Sequence, residues 1–388
     1  MKILRRVLLL TLVASLAVAP CSPWEKKAPP SQPYRVFVGT YTTKTQSKGI
    51  YAYDFDANTG KLSAKGVAAE TPDPSWVVVD PSGRFLYAAN EAGKSSAVSA
   101  FALNGSTGKL TLLNQVPSQG EDPCYLSLDE TGKHLLVANY GSGTVAAFPI
   151  LPDGRLGNYT AALKNRGTLG SNKERQDGPH AHWIEASAHN RFVYIADLGL
   201  DRILIYEFEA ATGTLRQGEP IEKFSATLAP GTGPRHAALA ADGKFMYVLG
   251  EMSSTVTVFA SQAPNTFRSV QQISMLPKGY KARNDAAEIA IHPNGNFLYA
   301  SNRGQDTIAV FSINHQNGTL THLENVPTQG KEPRHFAIDP TGRYLLAENQ
   351  HSDTIVEFKI AAATGKLIPT GELIHVPSPV CLTFLAEH

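Results

Sequence analysis

Short apolar runs, each broken by turn residues, recur along the chain from about Tyr34 to the C-terminus. The recurring phrase is a turn of the form Asp-Pro-x-Gly, an aromatic-apolar run, a small or polar residue near Asn, and a second run ending in Phe. Copies read DPSGRFLYAANE from Asp80, DETGKHLLVANY from Asp129, AHNRFVYIADLG from Ala188, ADGKFMYVLGE from Ala241, HPNGNFLYASNR from His292 and DPTGRYLLAENQ from Asp339. YRVFVGTY from Tyr34 is a seventh copy without its turn. Aligned on the strand, the copies start near residues 36, 85, 134, 192, 245, 297 and 344, with spacings of 49, 49, 58, 53, 52 and 47. A period near 50 residues marks a repeat architecture and fixes the fold class before any local motif is weighed.

Each period divides in the same way. An apolar run such as WVVVD or HFAID opens it, a tight turn leads to FLYAAN or its equivalent, and a second turn leads to AVSAFAL or TIAVFSI. A Gly-Lys-Leu or Gly-Thr-Leu segment closes it. These are short strands joined by hairpins whose Gly, Asn and Asp supply positive backbone angles. Beyond the N-terminal segment no stretch carries the apolar stripe of a long helix. Four strands per period make a small antiparallel sheet that cannot bury both faces alone, and stacking such sheets around an axis buries them. The prediction is an all-β fold, a seven-bladed β-propeller with four-stranded antiparallel blades. An open solenoid is the alternative, and the chain ends argue against it. The first period lacks its opening strand, whereas SPVCLTFLAEH at the C-terminus matches the opening segments GPRHAALAADG and EPRHFAIDPTG with no blade after it. Cys381–Leu385 is therefore expected to complete the blade begun at Tyr34 and to remove the free edges.

The N-terminus has a different pattern. Lys2, Arg5 and Arg6 precede an apolar stretch from Val7 to Ala19, the layout of a secretory signal and too short for a comfortable transmembrane helix. Residues 1–19 read as a signal peptide, 20–33 as a flexible polar leader and 34–388 as one propeller domain, which predicts an exported, periplasmic or cell-envelope protein. Ala17-Val18-Ala19 has the small-x-small form of a cleavage site but is followed by Pro20, while Cys21 sits where a lipid anchor would be attached. Cleavage and lipidation both stay open. Lys plus Arg is 35 against Asp plus Glu 34, so nothing favours a nucleic-acid partner, and attraction for an anion has to be local. With three cysteines in all, a metal cluster or sulfur nucleophile is not expected, and a core of this size needs no disulfide. A closed ring has no sheet edge that demands a partner, so a monomer is expected.

The chemistry should lie where the inner strands meet the axis. Their lead-ins EDPCY, GPHAHW, GPRHAA, ARNDAAE and EPRHFA carry His180, His182, Arg235, His236, Arg283, Glu288, Arg334 and His335. The ends of the next strands add Asn90, Glu91, Asn139, Tyr140, Asp197, Glu251, Asn302, Arg303, Glu348 and Asn349. A turn His or Asp is equally explained by a bond to nearby backbone. Glu251, at the end of FMYVLGE, is the sharpest candidate, as a general base tuned by its neighbours. Arg235, Arg303 and Arg334 suit an anionic group or oxyanion, and His180 or His182 suits proton transfer. His236, Asn139, Asp197, Asn302 and Asn349 are candidate substrate contacts. No phosphate-binding glycine loop stands between a strand and a helix, and His180-Ala-His182 is only a weak metal motif, so no cofactor is expected.

The segments GPHAHW, YIADLGLDRI, GPRHAAL, YVLGE, LYASNRG and EPRHFAIDPTGRYLLAENQ resemble the seven-bladed lactonase family. That family includes propeller-type bacterial 6-phosphogluconolactonases and fungal carboxymuconate-lactonizing enzymes. The resemblance runs from about Val36 to Phe384 and implies hydrolysis of a sugar-acid lactone, without a cofactor. It places a His, a Glu and arginines in the central cleft, matching His180 or His182, Glu251, Arg235, Arg303 and Arg334. A phosphorylated sugar lactone belongs to the cytoplasm, so the export signal points to an unphosphorylated lactone. A non-catalytic exported propeller serving as a ligand-binding or interaction module is the alternative. It would scatter its polar groups rather than gather Glu251, a His and two Arg at one mouth.

Overall fold

The computed structural model describes residues 33–263 and 266–386. The signal, Cys21 and the leader up to residue 32 lie outside the described residues. Among the described residues are seven antiparallel sheets, which we number as blades 1 to 7 along the chain. The first comprises Pro33–Thr40, Gly49–Asp56, Leu62–Glu70 and the C-terminal strand Pro379–Ala386. Blades 2, 3, 5, 6 and 7 span residues 74–117, 123–164, 234–274, 285–327 and 333–375, and blade 4 spans residues 181–227.

The ring closes as the sequence predicts. Pro379–Ala386 pairs antiparallel with Pro33–Thr40, with Arg35 opposite Leu385 and Gly39 opposite Cys381. Blade 4 departs from four strands. Its outer position is split between Thr214–Gln217 and Ser225–Thr227, both paired with Arg202–Glu209. The intervening GEPIEKF loops out, and its Pro220 has no N–H to offer a ladder.

The strands are apolar on both faces because each blade is buried on both faces. Alternate residues of one strand serve opposite neighbours. Leu86 and Ala88 pack on blade 1 with Phe37 and Ile50, whereas Tyr87 and Ala89 pack on blade 3 with Leu135 and Val137. The same division recurs around the ring and gives one apolar cluster per interface between blades. Each large side chain fully buried in this way contributes about 1.5–3 kcal/mol.

Outer hairpins lock successive blades. Gly154 (φ +84) lies against the Phe85 ring of the preceding blade, where an added Cβ would come within 2.2 Å of Cε1, and its carbonyl accepts from Tyr87 Oη at 3.1 Å. Gly365 repeats the device with Phe297 and with Tyr299 Oη, 2.7 Å from its carbonyl. The glycines of the Gly-x-Leu segments thus serve both the turn and the contact between blades.

Candidate active site

Five of the seven inner strands start on proline, at Pro74, Pro123, Pro234, Pro333 and Pro379, a residue tolerated at a strand's first position. The register of every inner strand then shifts next to this start. A bulge frees one residue from the ladder and re-aims it. The residues at these bulges include Cys124, His182, Arg235 and Arg334.

Cys124, His182 and Arg334 line a cavity of about 380 Å³ together with Tyr140, Arg175, Glu251, Arg303 and residues of the rim. Glu251 is the centre of the charge pattern. Its Oε1 accepts from Arg175 Nη2 at 2.7 Å and lies 3.3 Å from Arg303 Nη2. Its Oε2 lies 3.2 Å from Arg235 Nε, a contact outside hydrogen-bond geometry. Gly250 makes room for this turn, since a Cβ there would meet Thr232 Cγ2 at 2.4 Å. Burial pushes the Glu251 carboxyl up, but Arg303 and Arg235, with His182 and Arg175, outweigh it and hold the group well below the ordinary carboxylate range. Glu251 is thus a fixed anion that organises three guanidiniums, which corrects the expectation of a tuned general base.

His182 differs from Glu251 in this respect. Burial, then Arg235 and His236, push its imidazole well below the ordinary range, so it is neutral. Its Nδ1 lies 3.6 Å from Cys124 Sγ, and its Nε2 takes no hydrogen bond from the described residues. Burial raises the Cys124 thiol, which keeps it protonated and a poor nucleophile. His180 does not share the cavity. Its Nε2 is 3.0 Å from Asp177 Oδ1, its Nδ1 is 3.0 Å from the Tyr140 carbonyl, and its ring stacks on Tyr140 at 4.7 Å. Both nitrogens are committed, and His180 props Tyr140 rather than facing substrate. The two histidines therefore do not converge on a metal.

A second tier of side chains follows one position further along the inner strands. Trp76 and Tyr125 pack with their rings tilted by 31° at 4.1 Å, and both meet His236 edge-on, at 5.5 and 5.1 Å. His236 is a correction to the substrate contacts, because it belongs to this tier rather than to the cavity lining. Arg235 Nη1 approaches its Nε2 at 3.2 Å, and its Nδ1 bonds Glu288 Oε2 at 2.9 Å. Glu288 is shared with His335 at 3.5 Å, and His335 bonds Glu348 at 2.5 Å. Burial lowers the His335 imidazole, but Glu348 and Glu288 more than reverse this and raise it. Arg235 is thereby held by this tier and also donates to the Ala287 carbonyl at 2.5 Å. Burial, with Arg303 and Arg334, pushes its guanidinium down to about 10.

Four other expected substrate contacts are structural pins. Asn139, Asn302 and Asn349 donate Nδ2 to the carbonyls of Ser118, Met275 and Thr328 in the crossover before their own blade or beside it. Asp197 accepts from the backbone N–H of His180 and Leu200 and from Asn165 Nδ2. All four are fully buried, and the groups they engage fasten loops, although Asn139 Oδ1 and Asn349 Oδ1 take no hydrogen bond among the described residues. Arg175 escaped the sequence reading. Its signal is the longest spacing, 58 residues, whose extra chain at residues 165–180 delivers Arg175 to Glu251. On the far side Arg334 Nη2 donates to Tyr41 Oη at 2.8 Å, and Tyr41 donates to Glu91 at 2.7 Å. Arg303 also faces Glu332 at 3.8 Å, and Arg283 pairs with Asp285 at 3.0 Å. The site combines a neutral imidazole with an array of oriented guanidiniums, components of acyl transfer to water.

Comparison with known proteins agrees with this chemistry. The family model "Lactonase, 7-bladed beta-propeller" matches residues 35–384. The chain is 34% identical over 355 residues to the 6-phosphogluconolactonase of Bacillus subtilis, covering 91% of this chain and 99% of that protein. It is 33% identical to the 6-phosphogluconolactonase of Formosa agariphila, covering 78% of this chain and 85% of that one. The structure of the Pseudomonas aeruginosa periplasmic gluconolactonase superposes with a TM-score of 0.85 at 31% identity, covering 92% of this chain and 100% of that one. The chain belongs to the seven-bladed β-propeller lactonase family related to bacterial 6-phosphogluconolactonases, and its chemistry is that of a lactonase-type hydrolase.

Proposed function

We propose that this lactonase acts outside the cytoplasm on an unphosphorylated aldonolactone. The observation that carries the reading is the charge balance of the cavity. The lining arginines 175, 283, 303 and 334 are matched by Glu91, Glu251, Asp285 and Glu332, and each of these arginines lies within 4.0 Å of one of these carboxylates. A phosphate dianion would have to compete with these carboxylates, whereas hydroxyls can both donate to them and accept from the arginines. The export signal at the N-terminus and the similarity to a periplasmic gluconolactonase support the location.

In the proposed mechanism His182 Nε2 takes a proton from water as the water oxygen bonds to the lactone carbonyl carbon. The carbonyl oxygen gains negative charge and is stabilised by the guanidiniums that Glu251 aligns. When the tetrahedral intermediate collapses, the ring C–O bond breaks and His182 returns the proton to the departing alkoxide oxygen. The new acid ionises and releases one proton to solvent, so each turnover yields one hydroxy-carboxylate and one proton. Tyr140, kept protonated by burial against the opposing pull of Arg175, closes the His182 side of the cavity with its ring 5.3 Å from the imidazole.

A pH-indicator assay with glucono-δ-lactone and its 6-phosphate, run on wild type and His182→Gln, tests the reading. Proton release above the spontaneous rate, higher kcat/KM on the unphosphorylated lactone, and its loss in the variant are expected. Preference for the phosphate would overturn the substrate assignment, and unchanged turnover in the variant would overturn the role of His182.

A further inference from the structure

The cavity continues sideways into a groove. A second depression of about 510 Å³ shares Arg175, Arg283 and Asp285 with the central cavity. Its banks are the two longest crossovers between blades on this face. Residues 165–180 separate blade 3 from blade 4, and residues 275–284 separate blade 5 from blade 6. The other crossovers are short, running over residues 71–73, 118–122, 228–233, 328–332 and 376–378. The ring closes without the extra length, so that length builds the groove.

The groove has the mixed character that sugars need. Asn172, Glu174 and Ser253 give its lining polar groups, and Met252 and Leu276 give it apolar ones. Arg175 stands at the junction, with Nη2 on Glu251 at 2.7 Å and Nη1 3.7 Å from Asp285. Arg283 extends outward from the same Asp285, with 86% of its side chain exposed. Opposite charges side by side favour a neutral, hydroxyl-rich ligand over a second anion. A single sugar-acid ring is accommodated by the central cavity alone, which is already near the lower end of ligand-pocket volumes, about 300 Å³.

Resting on the lactonase reading above, we infer that the preferred substrate is a disaccharide aldonolactone. Its lactone unit occupies the central cavity, and its glycosyl unit lies in the groove beyond Arg175. The chemistry at the carbonyl is unchanged. The glycosyl unit adds binding that is the same in ground and transition states, so its effect falls on KM.

The test compares glucono-δ-lactone with lactobiono-δ-lactone on wild type, Ser253→Trp and Ala282→Trp. Both substituted side chains are exposed and line the groove, Ala282 in the 275–284 crossover and Ser253 in the turn between Phe245–Gly250 and Thr255–Ala263 of blade 5. Neither belongs to the reacting groups, so a folding defect in one leaves the other as the test. Wild type should favour the disaccharide lactone by about 10-fold or more in kcat/KM, through KM. Each tryptophan should remove that preference and leave glucono-δ-lactone turnover within about twofold. Efficient turnover of glucono-δ-lactone with no disaccharide preference, or with a preference that survives both tryptophans, overturns this inference and leaves the lactonase reading intact. Failure to hydrolyse either lactone overturns both.

Discussion

Replacing Glu251 by Gln tests the central electrostatic claim, because it keeps the shape and one acceptor oxygen and removes only the charge. Three guanidiniums lie within 2.7–3.3 Å of the carboxylate. Arg235 and Arg303 are 3% and 9% exposed in their side chains, whereas Arg175 is 30% exposed. Removing one partner of a buried ion pair costs about 3–5 kcal/mol. The lower end applies here, because Arg175 can turn to water, Arg303 keeps Glu332 and the Ala286 carbonyl, and Arg235 keeps the Ala287 carbonyl. The expected loss is therefore about 3 kcal/mol at pH 7, read by urea unfolding. The pH dependence gives an independent check. Glu251 has a depressed folded pKa, so its contribution is fully present above the unfolded carboxylate value of about 4.3 and is lost as pH falls toward the folded value. The gap between wild type and Glu251→Gln should stay constant from pH 7 to about 4.3 and close below it. In the same variant kcat should fall about 100-fold, the effect of a disordered oxyanion donor. A gap under about 1 kcal/mol, typical of exposed pairs, together with unchanged kcat would refute the reasoning.

His182→Gln should lower kcat by about 10²–10⁴-fold with little change in KM or melting temperature, and stopped-flow proton release measures it. In wild type the acid limb of kcat/KM should lie below pH 6.5, since a base with a lowered pKa stays deprotonated into mild acid. His335 has a raised folded pKa, so its contribution to stability is complete below the unfolded value of about 6.5 and is lost as pH rises through the folded value. His335→Gln should flatten that alkaline decline in melts across pH 6 to 9. Gly365→Ala should cost more than about 1 kcal/mol, because φ is +69 and the new Cβ would meet the Phe297 ring at 2.4 Å. Deleting residues 379–388 should replace the cooperative melt by aggregation, because the strand Pro33–Thr40 would become an open edge.

The fold was legible because its determinants are periodic. Continuous runs such as FLYAAN report burial on both faces, and SPVCLTFLAEH reported the closing strand. The site was legible only in part, and the reason is visible at particular residues. Asn139, Asn302 and Asn349 recur at one phase of the repeat, as do the catalytic candidates, but recurrence there reflects a structural need met in every blade: each pins a crossover carbonyl. Glu251 sits one position past that phase, where other blades have Glu91, Tyr140 and Arg303, and all four line the cavity. The Glu251 pKa could not be read from sequence, because burial raises it and the lowering comes chiefly from Arg303 and Arg235, whose approach to the carboxylate the repeat phase does not give. His180 and His182 were indistinguishable by spacing. The register shift between Ala181 and Trp183 separates them.

That shift explains how a uniform ring can hold an asymmetric site. A bulged residue has no ladder partner, so its side chain can change without disturbing the sheet. The inner strands carry Ser75, Cys124, His182, Arg235, Arg334 and Val380 at or beside these shifts, a set with no shared chemistry. The next position inward carries Trp76, Tyr125, Trp183, His236 and His335, which are bulky and closely packed. That tier bears on Arg235 through His236 and Glu288. Variation in reactivity is therefore tolerated at the bulge and resisted one position deeper. Under the proposed mechanism, a substitution at His236 or His335 should affect the reaction only through the placement of Arg235, whereas one at His182 should remove the proton acceptor itself.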